Sequence, residues 1–445
     1  MRDLLVTAIV FGILPWAFSR PYIGLYLYSW LSYMNPHRLA YGFALNFPFA
    51  YIVALTTIFG FLVSKEPKRM PWSREMTVLT MLVLWMVVTT VFAFYPPLAW
   101  PQMEKVFKIQ IMIFMTPLLI TSRERLHYMI WVIALSLAFY GVKGGIFTIV
   151  HGGVHRVQGP DASFIAGNNE MAFALVMTIP LLRYLHLQEK QFWMRIGLAA
   201  IMVLCGLAVI GSQSRGGLVA AAAMTLVLWF KSRHKFTTAL LIGASIWLVV
   251  SIMPQAWYDR MNTIKTYEED ASALGRINAW RMALNVVQER PFTGGGFEMF
   301  QPNTFKIYAP NPDDVHDVHS VYFEMLGEHG FVGLGLWLLL ALLAWRTGSW
   351  VIRRAKRDPD RKWAQDLAAM TQVSMIGYAA GGAFLGLAYF DLYYHLLITL
   401  VCLKLILLRE DAERGVTEPS ARPGNKKALR KLGWRRGTRS TAPTS

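Results

Sequence analysis

Long apolar runs separated by short basic knots make up most of this chain. The runs lie at roughly 47 to 64, 76 to 95, 105 to 121, 126 to 150, 164 to 185, 194 to 211, 215 to 231, 236 to 253, 318 to 346, 368 to 389 and 391 to 408. An α-helix of about 20 residues crosses about 30 Å of hydrocarbon while satisfying its own backbone hydrogen bonds. These runs therefore predict helices, not barrel strands, which are half as long and alternate in polarity. Residues 3–34 are apolar too, but Pro15, Arg20 and Pro21 interrupt them. That stretch is compatible with one broken crossing or two short ones.

The basic knots set the orientation, because short cytoplasmic loops collect Lys and Arg. Such knots occur at 65–74, 123–125, 190–195, 231–235 and 353–357, and again after Arg409. Their alternation predicts about twelve crossings with both termini in the cytoplasm, residues 1–34 crossing once. The alternative is one crossing more, with Met1 outside. Residues 1–408 then form a polytopic membrane domain, with 254–317 as a long periplasmic loop carrying short helices between the ninth and tenth crossings. Residues 409–445 form a basic cytoplasmic tail expected to be disordered. The N-terminus shows no small-residue cleavage pattern and reads as an anchor.

Composition agrees, since 55% apolar and 16% charged residues over 445 positions exclude an ordinary soluble domain. The net charge of +17 lies largely in the inside loops and tail, where topology and anionic membrane lipids account for it without nucleic acid. Cys205 and Cys402 fall inside apolar runs, so neither a disulfide nor a thiolate metal site is expected. The chain shows no internal repeat of the kind inverted-repeat transporters carry.

Candidate chemistry gathers on the outward face. Residues 211–217, Gly-Ser-Gln-Ser-Arg-Gly-Gly, split two apolar runs. As plain structure this is a hairpin turn with Ser214 as N-cap and Arg215 reaching for water. An arginine and two glycines at a helix start also put backbone N–H groups, the positive helix end and a guanidinium on one spot, which is how phosphate oxygens are held. Residues 275–287 carry apolar positions at 277, 280, 284 and 287, one face of a helix lying on the membrane. Arg276 opens that helix beside Gly275 and is placed to hold an anion, whereas Arg281 and Arg290 read as solvated. Residues 291–297, Pro-Phe-Thr-Gly-Gly-Gly-Phe, end the helix in a loop of little side-chain bulk. Third, His316 to Leu326 leads into the next apolar run. His319 is expected in the first turn of that helix, where the dipole and nearby arginines disfavour the imidazolium form and leave a ring able to accept a proton. Tyr322, one turn on, is placed to orient a sugar or the ring. Glu324, Glu328 and His329 lie deeper and read as helix packing or a hydrogen-bond network.

The order of these elements resembles the O-antigen ligase family. The resemblance rests on Ser214-Arg215-Gly216-Gly217, on Arg276 through Phe297, and on an H-x-x-Y-x-E-x-L-x-E-x-G stretch from His319 to Gly330. It covers roughly residues 156 to 335, with the flanking runs matching in hydropathy only. It implies an all-α integral membrane protein of the GT-C glycosyltransferase type in the bacterial inner membrane, moving a glycan from undecaprenyl diphosphate to a periplasmic acceptor, for a ligase a lipid A-core sugar. It further implies that Arg215, Arg276 and Arg156 grip the diphosphate, that Asn169 belongs to the site, and that His319 activates the acceptor hydroxyl. Ser320 departs from the asparagine many members carry after the histidine, and residues 156–158 resemble a branch linked to exopolysaccharide export. O-antigen or exopolysaccharide polymerase and protein O-glycosylation ligase therefore stand as alternatives.

The chemistry is consistent with that implication. A sugar on a lipid diphosphate is already activated, so transfer needs charge stabilisation on the departing diphosphate and removal of one proton from the incoming hydroxyl. Arginines meet the first need without a metal, and no cofactor is expected. Other membrane glycosyltransferases hold a metal on an acidic outside loop; here the first outside loop, 35–46, carries no acid, and adjacent outside acids occur only within 254–317. A transporter of lipid-linked sugar is the competing class, but it places its polar groups near midplane rather than at one surface.

Overall fold

The computed structural model describes residues 1–231 and 271–415, together with 235–237, 239–240, 243–244, 254–255 and 257–258. Most of the expected crossing at 236–253, Arg260 and the tail beyond residue 415 lie outside those residues. The described elements are helical: α1 (Arg2–Ser19), α2 (Pro21–Met34), α3 (Phe49–Val63), α4 (Arg74–Val91), α5 (Pro96–Leu119), α6 (Arg123–Val150), α7 (Asn168–Gln188), α8 (Phe192–Gly211), α9 (Arg215–Lys231), α10 (Ala271–Glu289), α11 (Pro302–Tyr308), α12 (Val321–Ala355), α13 (Lys362–Gly381) and α14 (Asp391–Glu413). Local chemistry marks several starts. Ser73 and Ser122 accept from the N–H three residues on, and Ser214 accepts from Gly217 N–H at 3.0 Å, so it caps α9.

Among the described residues seven helices are long and apolar enough to cross a membrane: α1, α4, α6, α7, α8, α12 and α14. The sequence pattern counted more, and one of its crossings, 236–253, lies mostly outside the described residues. α3 and α9 are apolar but shorter, and α5 carries Glu104, Lys105 and Lys108.

The first helices correct one expectation. Asp3 Oδ1 accepts from the backbone N–H of Gly42 and Ala44 at 2.9 and 3.1 Å, and Arg2 donates to the Leu39 carbonyl at 3.2 Å. At its other end α1 touches the end of α3, where a Cβ on Gly60 would lie 2.3 Å from the Phe18 carbonyl oxygen. α1 thus runs from the 35–46 loop to the far end of the bundle and α2 runs back. Residues 1–34 are two antiparallel helices rather than one broken crossing, because Pro21 occupies the first position of a new helix and forces Arg20 out of helical geometry. α14 ends at Glu413 beside Arg354 and Arg361, the opposite end from Met1, so the two helical termini do not share a side as the twelve-crossing scheme required.

α7, α13 and α14 form the centre. Phe173 stacks on Tyr378, which stacks on Tyr393 at 4.4 Å, and Ser374 donates to the Met177 carbonyl. α6 and α8 approach through glycine: a Cβ on Gly141 would meet Cys205 Sγ at 2.3 Å and one on Gly145 the Leu204 carbonyl at the same distance.

α12 is broken near its start. Gly330 adopts φ 66°, ψ −170°, separating a short helix over 321–329 from the long apolar segment that follows. Glu324, Glu328 and His329 therefore sit on a short helix at the mouth of the bundle.

Candidate active site

The break at Gly330 frees backbone groups, and the glycine loop over 291–297 takes them up. Gly295 N–H donates to the Gly327 carbonyl at 2.8 Å, Gly296 N–H to the Glu328 carbonyl at 3.0 Å, and Phe331 N–H to the Pro291 carbonyl at 2.9 Å. An unpaired buried carbonyl costs about as much as a lost hydrogen bond, so the plug makes the break tenable. Its glycines are needed for closeness. A Cβ on Gly294 would stand 2.2 Å from the Gly327 oxygen, and one on Gly296 2.3 Å from Ala93 Cβ.

The short helix is fixed from three further directions. Glu328 accepts from Glu298 N–H at 2.9 Å and from the Tyr389 hydroxyl; that hydroxyl also lies 2.8 Å from His329 Nε2, whose Nδ1 is 2.7 Å from Thr89. Glu324 accepts from Ala388 N–H at 3.1 Å, and Val321 N–H donates to the Gly382 carbonyl at 2.8 Å. Glu328 and His329 thus share a hydrogen-bond network through Tyr389, and Glu324 serves helix packing by holding the Ala388 N–H, the two roles expected of these residues.

His319 stands just outside this helix, not in its first turn: Ser320 is the N-cap and Val321 the first helical residue. The ring is held at φ 40°, a left-handed conformation costly for a residue with a side chain. Its Nδ1 is buried and lies 3.8 Å from Asp317 Oδ2, beyond hydrogen-bond reach. The structure thus sets a carboxylate beside the ring, where the sequence pattern pointed to arginines. Tyr322 donates its hydroxyl to the Ala379 carbonyl at 2.7 Å and packs edge-on against Trp337.

Arg276 does not open its helix as expected: α10 is already helical from Ala271, which puts Arg276 in its second turn, docked against the extended segment leading to His319. A Cβ on Gly275 would be 2.4 Å from His316 Nδ1, and His316 itself pairs with Asp314 at 2.7 Å. Asn278 donates to the carbonyls of Asn311 and Asp314 and accepts from Asn311 N–H. Trp280 donates to the Val318 carbonyl and stacks on Phe323 at 5.0 Å. Arg281 is exposed.

Arg215 opens α9 after a turn in which Gln213 takes φ 55°. The loop over 151–167 is tied to that turn: Val157 N–H donates to the Gly211 carbonyl, Gln213 Nε2 to the carbonyls of Gly153 and Val154, and Asn168 Nδ2 to the Ser212 carbonyl. Arg156 projects from this loop exposed beside buried Val157, and Asn169 sits half-buried next to Asn168.

The segment between α13 and α14 joins the two halves. A Cβ on Gly216 would be 3.3 Å from Phe384 Cβ, and one on Gly386 3.8 Å from His319 Cα. The two residues of chain from 384 to 386 span about 7 Å. The α9 start, the α10 start and His319 therefore lie at one end of the bundle. Sequence reasoning placed these three and missed their connectors. Trp280 passed for one of several apolar face positions, and residues 382–389 were read as the end of the apolar run 368–389, whereas α13 ends at Gly381. Lys105, whose Nζ lies 3.9 Å over the Phe164 ring, was also missed; its signal was a cation inside an apolar run. Among the described residues no group of three or more His, Cys, Asp or Glu side chains converges in a way that would hold a metal ion.

Residues 200–338 match the family model described as O-Antigen ligase, and residues 1–190 match one described as a family of unknown function, DUF5935. No curated protein matches the chain. A solved structure described as "Structural coordination of polymerization and crosslinking by a peptidoglycan synthase complex" contains a chain that is 16% identical, with 76% of this chain and 97% of that chain covered and a TM-score of 0.39.

Proposed function

We propose that this chain, whose residues 200–338 match the O-antigen ligase family model, is a membrane glycosyltransferase moving a glycan from undecaprenyl diphosphate to a lipid A-core sugar at the periplasmic face of the inner membrane. The observation that carries this reading is that the Arg215 helix start approaches His319 through residues 384–386, while the helix carrying Arg276 approaches it through the Trp280–Val318 bond.

In the proposed step the acceptor hydroxyl oxygen attacks the anomeric carbon of the donor sugar. The new carbon–oxygen bond forms as the bond to the diphosphate breaks, and the electron pair leaves with the diphosphate. The hydroxyl proton goes to His319 Nε2, with Nδ1 oriented by Asp317 once their 3.8 Å gap closes around substrate. Arg215, Arg276 and Arg156 stabilise the departing charge, Arg215 from a helix start and Arg156 from a loop tied to it. Asn169 and Tyr322 border the acceptor path; Tyr322 acts through its ring, since its hydroxyl is engaged by Ala379.

Purified protein, lipid-diphosphate glycan and lipid A-core in detergent test the proposal in a single reaction run with excess chelator. A joined product of one glycan per core supports the metal-independent ligase. Elongated glycan still on its carrier assigns the polymerase alternative, and product that forms only when magnesium is restored overturns metal independence. Unaltered donor points to a carrier.

A further inference from the structure

At the end of the bundle opposite His319 a cavity of about 690 Å³ opens between the end of α1, the start of α2, the end of α3 and the start of α6. The 28-residue α6 separates this cavity from the loop over 151–167 by about 40 Å, so it belongs to a different site. Its wall contains Arg20, Lys65, Arg125 and Glu66, with Phe18 and Val63 on the open side.

The charges divide into two kinds. Arg125 is committed: it donates to the Leu119 carbonyl at 2.8 Å, pairs with Glu66 at 2.8 Å, and lies 4.1 Å over the Tyr22 ring. Glu66 is thereby neutralised. Arg20 and Lys65 are exposed and form no ion pair with another described residue. Two uncompensated cations thus face one concavity, and the close contact of Gly60 with the Phe18 backbone brings their two helix ends together.

The apolar side is equally particular. Phe18 is 47% and Val63 74% exposed, and Phe59 and Leu62 continue the uncovered surface along α3. Two cations at a polar rim above an apolar helix face match a ligand with anionic phosphate at one end and hydrocarbon at the other. A small anion would leave the apolar side facing water, and an uncharged lipid would leave the cations unanswered.

We propose that this cavity binds the headgroup of an anionic phospholipid, its phosphate between Arg20 and Lys65 and its acyl chains along α1 and α3. The site is independent of glycosyl transfer.

The full-length protein in nanodiscs of equal phosphatidylglycerol and phosphatidylcholine, analysed by native mass spectrometry after release, tests it. The wild type retains phosphatidylglycerol over phosphatidylcholine. Arg20→Ala with Lys65→Ala lowers retained phosphatidylglycerol about tenfold or more, as expected for removing two cations from a phosphate site. Lys68→Ala with Arg69→Ala, two exposed cations of the same loop outside the cavity, leaves retention unchanged. Should the double variant fold poorly, Lys65→Glu alone gives the same reading by charge reversal. Undiminished retention in the cavity variants, equal loss in the Lys68 and Arg69 pair, or displacement of the lipid by excess inorganic phosphate each overturns the proposal.

Discussion

The indole N–H of Trp280 donates to the carbonyl of Val318 at 2.8 Å, so the helix that carries Arg276 also holds the residue before His319. Trp280→Phe keeps the stack on Phe323 and removes only this bond, worth about 0.5 to 1.5 kcal/mol. The expected result is a two- to tenfold fall in transfer, about what that energy allows, with little change in melting temperature. A variant as fast as wild type would show that the bond does not position the histidine.

His319→Ala is expected to abolish transfer while donor binding persists, read by product formation and by lipid-diphosphate retention. His319→Gly should be equally inactive but melt no lower than the alanine variant, since glycine adopts φ 40° without the roughly 1 to 2 kcal/mol that a Cβ costs there. Normal transfer by either variant removes the base assignment.

Arg215→Ala and Arg276→Ala should each lose about ten- to a hundredfold in turnover, the value of a charge-assisted hydrogen bond to phosphate of about 1.5 to 3 kcal/mol. Arg281→Ala, which removes an exposed side chain on the same helix as Arg276, should stay near wild type. Equal losses in all three would mean that general surface charge, not a diphosphate grip, is at work.

Gly330→Ala should prevent stable folding or lower the melting temperature by many degrees. Its φ of 66° disfavours a side chain, and the new Cβ would stand 2.1 Å from the Phe292 carbonyl oxygen. Survival of the variant with wild-type melting would contradict the plugged break.

Burial and the neighbouring Asp317 push the Glu298 carboxyl above its ordinary 4.5, with Lys105 opposing. The native state then holds this proton to higher pH than the unfolded chain does. Stability therefore falls as pH rises from 4.5 through the raised value and levels off above it. Glu298→Gln keeps the shape and removes the titration, so its melting temperature should fall less than wild type across that rise. Parallel curves for the two proteins would refute the assignment.

Much of this molecule was legible in sequence because one-dimensional pattern suffices where the solvent is hydrocarbon. A backbone with no water to bond must be helical, so the apolar runs fixed helix class and rough position. Ser214 as N-cap and the unusual glycine content of 291–297 followed from local chemistry of the same kind. Helix ends were less legible. The first crossing proved to be a helix pair, and the helix after His319 began later and broke at Gly330, because both outcomes rest on partners far along the chain: Gly42 and Ala44 for Asp3, and residues 291–296 for the carbonyls freed at the break.

The sequence by itself determined that the chain is helical and apolar and that arginines, a glycine loop and a histidine recur in an order resembling one family. Only the tertiary structure decided that the start of α9 meets His319 through residues 384–386, that α10 meets it through Trp280 and Gly275, and that a carboxylate stands beside the ring. Hydropathy is a property of each residue and its near neighbours and so survives in a linear pattern. Convergence depends on close backbone approach between segments 60 to more than 100 residues apart, which no local pattern encodes.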